Sequence, residues 1–432
     1  MSRLILILCL TLCSVFARGG DWTVYSVSGR DYLSMENIAE FYGLPKVQRT
    51  EREITISSGI RSLRASANSA DFFINNLKFI LSYPTVVKDG KICVSRMDLV
   101  KLIEPVMRPS AIKNAPNIDT IVLDAGHGGH DNGAMSLWGP EKAYALDTVL
   151  RAKALLQAAG YKVVLTRDGD YFVPLDDRVR FANRYPNAIF IAVHFNSGGW
   201  GTGVETYSLA PRGVPSMMAD GPSVSDLVQC TGNARDAENI ALATASHAAL
   251  VLKTHMFDRG LKRARFVVIR DIAIPGVLLE CGFQSNPYDG KMIATPLYRQ
   301  TLAQAILAAV TNYKRAVGAP GAAPRQAVQA TQTSPSYDVS AAPSVRTDDG
   351  SDAKAPKAQG DSDGDPDSDS KSTAKNDADG DSKSAAPTKS NPPAEKNAEP
   401  KASKSPQFKK PTVATPDPPA PPKKKKPAAK NK

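Results

Sequence analysis

From residue 117 onward, short apolar runs alternate with longer stretches whose apolar positions recur at helical spacing. The runs at 119–124, 161–166, 188–193, 203–209, 266–270 and 276–280 are rich in β-branched residues and leucine, and predict strands. Between and after them, 141–159, 176–184, 238–253 and 297–315 predict helices, the first closed by Gly160. Such alternation predicts an α/β domain over 117–316, a mixed open sheet with helices on both faces. Residues 21–110 read differently. Strand-like runs at 22–27, 53–57 and 91–94 surround helical patches at 35–42 and 95–103, and the order strand, short polar turn, serine, helix occurs twice, so a small α+β domain is expected there.

The two ends depart from both patterns. Beyond 317 the chain turns to Pro, Ala, Ser, Lys and Asp with almost no aromatic residues, too little apolar surface to offset chain entropy, so 317–432 is expected to be a disordered tail. Within it Asp361, Asp363, Asp365, Asp367 and Asp369 lack the terminal Glu of an EF-hand loop and read as a solvated acidic run. At the start, Ser2 and Arg3, an apolar run over 4–16 and Val15-Phe16-Ala17 read as a signal peptide over 1–17, shorter than the roughly 20 apolar residues of a membrane span. Leu12 before Cys13 is too large for a lipoprotein cleavage site. The mature chain is therefore expected to be exported to the periplasm or cell envelope, without a transmembrane segment, and to be a monomer.

The net charge of +11 changes little in this picture, because the basic residues collect partly in the tail, including Lys423 to Lys426. It reads as a solubilising extension or a tether to anionic polymer rather than a nucleic-acid surface. Cys93, Cys230 and Cys281 form an odd, widely separated set, which gives no disulfide framework and no Cys-x-x-Cys metal site.

Candidate chemistry sits at strand ends. Catalytic zinc typically takes three protein ligands and leaves one position for water. His127 follows an apolar strand inside Leu123-Asp124-Ala125-Gly126-His127-Gly128-Gly129, where the glycines permit a sharp turn. His194 ends the run Ile189-Phe190-Ile191-Ala192-Val193, and Glu141 opens a long helix. Glu280 follows Val277-Leu278-Leu279, where an unpaired carboxylate is costly to bury and therefore hard to explain as structure alone. Carboxyl ends of strands gather in one crevice of an open α/β sheet, so these four can meet, with Glu280 placed to move protons. Each is weak taken singly. His130 is a rival ligand, whereas His247 and His255 fall on or near the Ala-rich helix and read as structural or exposed.

The order Leu123 to Ala134, Glu141-Lys142, Leu165-Thr166-Arg167, Arg178, Val193-His194-Phe195-Asn196, Gly203-Val204-Glu205-Thr206-Tyr207, Asp258-Arg259-Gly260-Leu261-Lys262 and Leu278-Leu279-Glu280-Cys281-Gly282-Phe283-Gln284-Ser285-Asn286 resembles the zinc-dependent N-acetylmuramoyl-L-alanine amidase family (amidase type 3) over residues 119–315. Pro275-Gly276 departs from the family's usual Pro-Ala. The resemblance implies one zinc ion bound by His127, Glu141 and His194, and Glu280 as the catalytic glutamate. It also implies hydrolysis of the amide joining N-acetylmuramic acid to L-alanine in peptidoglycan, with attack by a zinc-bound water and Glu280 as general base and acid. Asn196 is expected to orient substrate or water. Residues 211–237 fall where some relatives carry an inhibitory insertion; a lid, a substrate loop or a plain surface loop fits them, and an activator protein stays an open partner. Residues 21–110 resemble the small N-terminal repeat module of copper amine oxidases, a spacer or wall-docking unit. A non-catalytic wall-binding module and a zinc carboxypeptidase or deacetylase are the competing readings. Four intact site residues argue against the first, and the order of motifs against the second.

Overall fold

The computed structural model describes residues 22–318 except 114, 116, 219 and 220, so the export segment expected at 1–17 and the tail beyond 318 lie outside the described residues. Six strands of the second half lie side by side in the order Lys162–Leu165, Thr120–Ala125, Ala188–Asn196, Gly276–Phe283, Val204–Leu209, Asp258–Ala264. All neighbours are parallel except Val204–Leu209, which runs antiparallel to Gly276–Phe283, so the sheet is mixed.

The runs that read as uninterrupted apolar strands are the ones covered on both sides. Every residue of Thr120–Ala125 is buried, as parallel strands between two helical layers require. Ile121, Leu123, Ile191 and Leu279 face one layer with residues of the helices Glu141–Ala158, Asp236–Thr254 and Pro296–Val317. Val122, Phe190, Ala192 and Leu278 point the other way, toward Ala182 of Leu175–Ala182 and toward Val268 and Ile269. This is the α/β arrangement that the periodicity predicts. One expected strand is overturned: 266–270 contains the short helix Val267–Arg270, and the strand lies earlier, at Asp258–Ala264. Val267, Val268 and Ile269 are all buried, and a short β-branched run buried on every side carries no period that separates helix from strand.

In the first ninety described positions, Val24–Val27, Arg30–Ser34, Lys91–Ser95 and Val86–Lys88 form a separate four-stranded antiparallel sheet. Five further strands, Lys46–Arg49, Glu53–Ser57, Ser62–Ser66, Asp71–Ile74 and Leu77–Ile80, form a meander that joins the main sheet and brings it to eleven strands. The join is parallel, with Phe79 opposite Leu261. Asp258 accepts the Lys78 amide at 2.9 Å, Arg263 donates to the Lys101 carbonyl at 2.6 Å, and the Tyr83 hydroxyl donates to the Gly213 carbonyl at 2.7 Å. Ile54, Phe72 and Phe79 belong to the same core as Leu261 and Leu279.

Candidate active site

The strand Thr120–Ala125 ends in a turn of unusual backbone. His127 has φ 58°, followed by Gly128 at 132° and Gly129 at 59°. A side chain in the left-handed region costs on the order of 1 kcal/mol or more and persists only where the surroundings enforce it. Two buried arginines do so. Arg178 bonds the carbonyls of Ala125 and His127 at 2.7 and 2.8 Å and pairs with Asp124 at 2.7 Å. Arg167 bonds the carbonyls of Ala125 and Gly126 at 2.9 and 2.6 Å.

This turn aims His127 at the first residue of the helix Glu141–Ala158. His127 Nε2 lies 3.1 Å from Glu141 Oε2, and His194 Nδ1 lies 3.0 Å from Glu141 Oε1. One ligand atom from each of the three lies within 4.8 Å of the others, and among the described residues this is the cluster able to hold a metal ion. Two imidazoles and a carboxylate are the donor set of a catalytic zinc site, so the cluster fits that cation by its chemistry. Glu141 also accepts the amides of Ala134 and Phe195, both at 2.9 Å. Burial opposes its charge, yet His127 and His194 hold its carboxyl well below the usual range. Burial likewise disfavours the His127 cation, but Glu141 and Asp131 outweigh it and raise its pKa to about 9.

Glu280 stands opposite His194 in the parallel pairing and opposite Glu205 in the antiparallel one, so the three occupy one row on one face of the sheet. Its Oε2 is enclosed and has no hydrogen-bond partner among the described residues, although the residue as a whole is half-buried. Burial first, then the charges of Glu141 and Glu205, push the Glu280 carboxyl well above the usual range, with Lys262 opposing.

His127, Glu141, His194 and Glu280 are thus brought together. His130 instead lies with its ring 4.3 Å from that of Phe172. His247 is buried between Thr206 and Asp258, at 3.0 and 2.8 Å. The Asn196 amide donates to Glu205 at 3.4 Å. Residues 211–237, apart from the undescribed pair, are clasped by Arg265, which pairs with Asp226 at 3.1 Å and bonds the carbonyls of Pro211 and Val214.

Two neighbours of the site escape the sequence reading. Asp131 holds His127 Nδ1 at 2.8 Å, the carboxylate support that fixes a ligating imidazole; its trace is an Asp four residues after the histidine in a Gly-rich turn. Glu205 is a buried carboxylate in a strand buried along its whole length, an anomaly akin to the one that marks Glu280. Close approach also explains the glycines. A Cβ at Gly126 would lie 2.4 Å from the His194 ring, and one at Gly133 would lie 2.5 Å from His127. Gly126→Ala is expected to displace the His194 ring and weaken cation binding about 10–100-fold. Chelator competition measures this, with far-UV circular dichroism unchanged; unaltered affinity would contradict it.

An α/β sheet whose strand ends gather two imidazoles and a carboxylate, beside a second carboxylate enclosed without a partner, defines a hydrolase site suited to a metal ion. The model of the N-acetylmuramoyl-L-alanine amidase family matches residues 121–312. The N-acetylmuramoyl-L-alanine amidase AmiA of Escherichia coli (strain K12) is 29% identical over 244 residues, covering 51% of this chain and 84% of that protein. AmiA of Salmonella typhimurium is 30% identical over 217 residues, covering 45% of this chain and 75% of that protein. The probable cell wall amidase LytH of Staphylococcus saprophyticus is 35% identical over 197 residues, covering 45% and 58% respectively. The chain belongs to the N-acetylmuramoyl-L-alanine amidase family and is a hydrolase of peptidoglycan.

Proposed function

We propose that residues 117–316 cut the amide between the lactyl group of N-acetylmuramic acid and L-alanine with one zinc ion held by His127, Glu141 and His194. The observation that carries this reading is the enclosed, partnerless Oε2 of Glu280 one strand from His194. Zinc bound there supplies Lewis acidity toward the amide carbonyl and acidifies water. Glu280 takes a proton from the attacking water at its carboxylate and delivers it to the departing alanine nitrogen. Its enclosed, anionic surroundings raise the proton affinity of the carboxylate, which favours the first transfer, from water. Asp131 fixes the His127 ring through Nδ1, and Asn196 orients substrate beside Glu205.

The substrate lies outside the cytoplasmic membrane, and residues 1–17 have the pattern of an export segment, so we place the enzyme in the cell envelope. Among the described residues no helix is long and apolar enough to cross a membrane.

The full chain, incubated with purified peptidoglycan, is expected to release peptides with a free L-alanine amino terminus by mass spectrometry, and to carry one zinc per chain by metal analysis. Chelator should abolish release and added zinc restore it. Products cut within the glycan or the peptide, or full activity in excess chelator, would overturn the proposal.

A further inference from the structure

We propose that Arg259 is a substrate-binding residue that takes a free carboxylate on the peptide half of the substrate, an inference that rests on the amidase reading above. Arg259 lies on Asp258–Ala264, which is paired with Val204–Leu209, which in turn is paired with the strand of Glu280. Two strand spacings put its strand about 10 Å from that of Glu280.

Arg259 is held at one edge of its guanidinium only. Glu205 is a single buried carboxylate that receives Arg259 Nε, Lys262 Nζ at 2.7 Å, the Tyr207 hydroxyl at 2.7 Å and the Asn196 amide at 3.4 Å. Arg259 and Lys262 thus meet at Glu205, with Glu280 opposite it in the row. Lys262 is the more enclosed, its side chain 17% exposed against 32% for Arg259. Arg259 uses only its Nε in this contact, and its guanidinium lies over the Phe283 ring, 4.7 Å from the centroid. Its two terminal amino groups have no hydrogen-bond partner among the described residues.

A guanidinium anchored at one edge and stacked on a ring loses little further freedom when its outer fork binds, and that fork matches a carboxylate in two-point geometry. Stem peptides of peptidoglycan carry free carboxylates, and an extended residue spans about 3.3–3.6 Å. The fork over Phe283 on the Glu280 strand therefore lies within reach of the first residues beyond the cut amide. The exposed fork, a charged group with donors only, favours an anionic group over a neutral one.

The test uses the full chain and two soluble muramoyl peptides, one with its stem carboxylates free and one with them converted to amides. The unaltered enzyme is expected to favour the free acid about 10–100-fold in kcat/KM, mainly through KM. Arg259→Gln should erase that preference by raising KM for the acid alone, and Arg259→Lys should restore part of it. If Arg259 only supports Glu205, the substitution costs both substrates the same factor, which overturns the inference. Equal cleavage of both peptides by the unaltered enzyme also overturns it, even where a variant fails to fold. Cleavage of neither peptide overturns the amidase reading, and this inference with it.

Discussion

Glu280→Gln is expected to lower kcat by about 10²–10⁴-fold while leaving the zinc content and the fold intact. The glutamine keeps the shape of the side chain but has no carboxylate to accept the proton of water or return it to nitrogen. Oε2 of Glu280 makes no hydrogen bond in its enclosure, so the fold loses no contact when the carboxyl becomes an amide. The melting temperature should hold or rise, as when an active-site group is kept at some cost to stability. Turnover on a muramoyl peptide, metal analysis and a thermal melt on the same sample decide the matter. Full turnover would remove Glu280 from the proton path. Loss of zinc together with activity would assign it to holding the cation instead.

Arg178→Met should cost about 3–5 kcal/mol of stability, the usual penalty for leaving one partner of a buried ion pair behind. The side chains of Arg178 and Asp124 are 3% and 1% exposed. Asp124 Oδ2 already lacks a partner, and Oδ1 is left with Thr166 alone once the guanidinium is gone. The same change frees the carbonyl of His127 and leaves that of Ala125 to Arg167, so the left-handed turn loses half its clamp and cation affinity falls with stability. Urea unfolding of the metal-free chain reads the first effect, and chelator competition the second. A loss below about 1 kcal/mol would show that water or a rearranged neighbour replaces the guanidinium.

Much of the site is legible in the sequence because each of its main residues breaks a strong local pattern. His127, His194 and Glu280 each follow an apolar strand, and polar residues at the carboxyl ends of such strands meet by topology alone. Glu141 is marked by opening a helix after a Gly-rich turn. Arg259 and Glu205 are different: they lie 54 residues apart, and only the sheet order shows that their strands are neighbours. The continuation of the sheet across Phe79 and Leu261 is hidden for a related reason. Neither strand carries a local cue to its edge partner, and the join rests on backbone bonding and shape.

That join has a mechanical consequence. The outer side of the strand bearing Arg259 is occupied by Leu77–Ile80, whose amide at Lys78 is bonded to Asp258. A pull applied along the opening meander meets, strand by strand, the sheet that holds the row of Glu205 and Glu280. Anchoring residues 46–80 to a solid surface would therefore fix the attitude of the cutting edge as well as its distance from that surface.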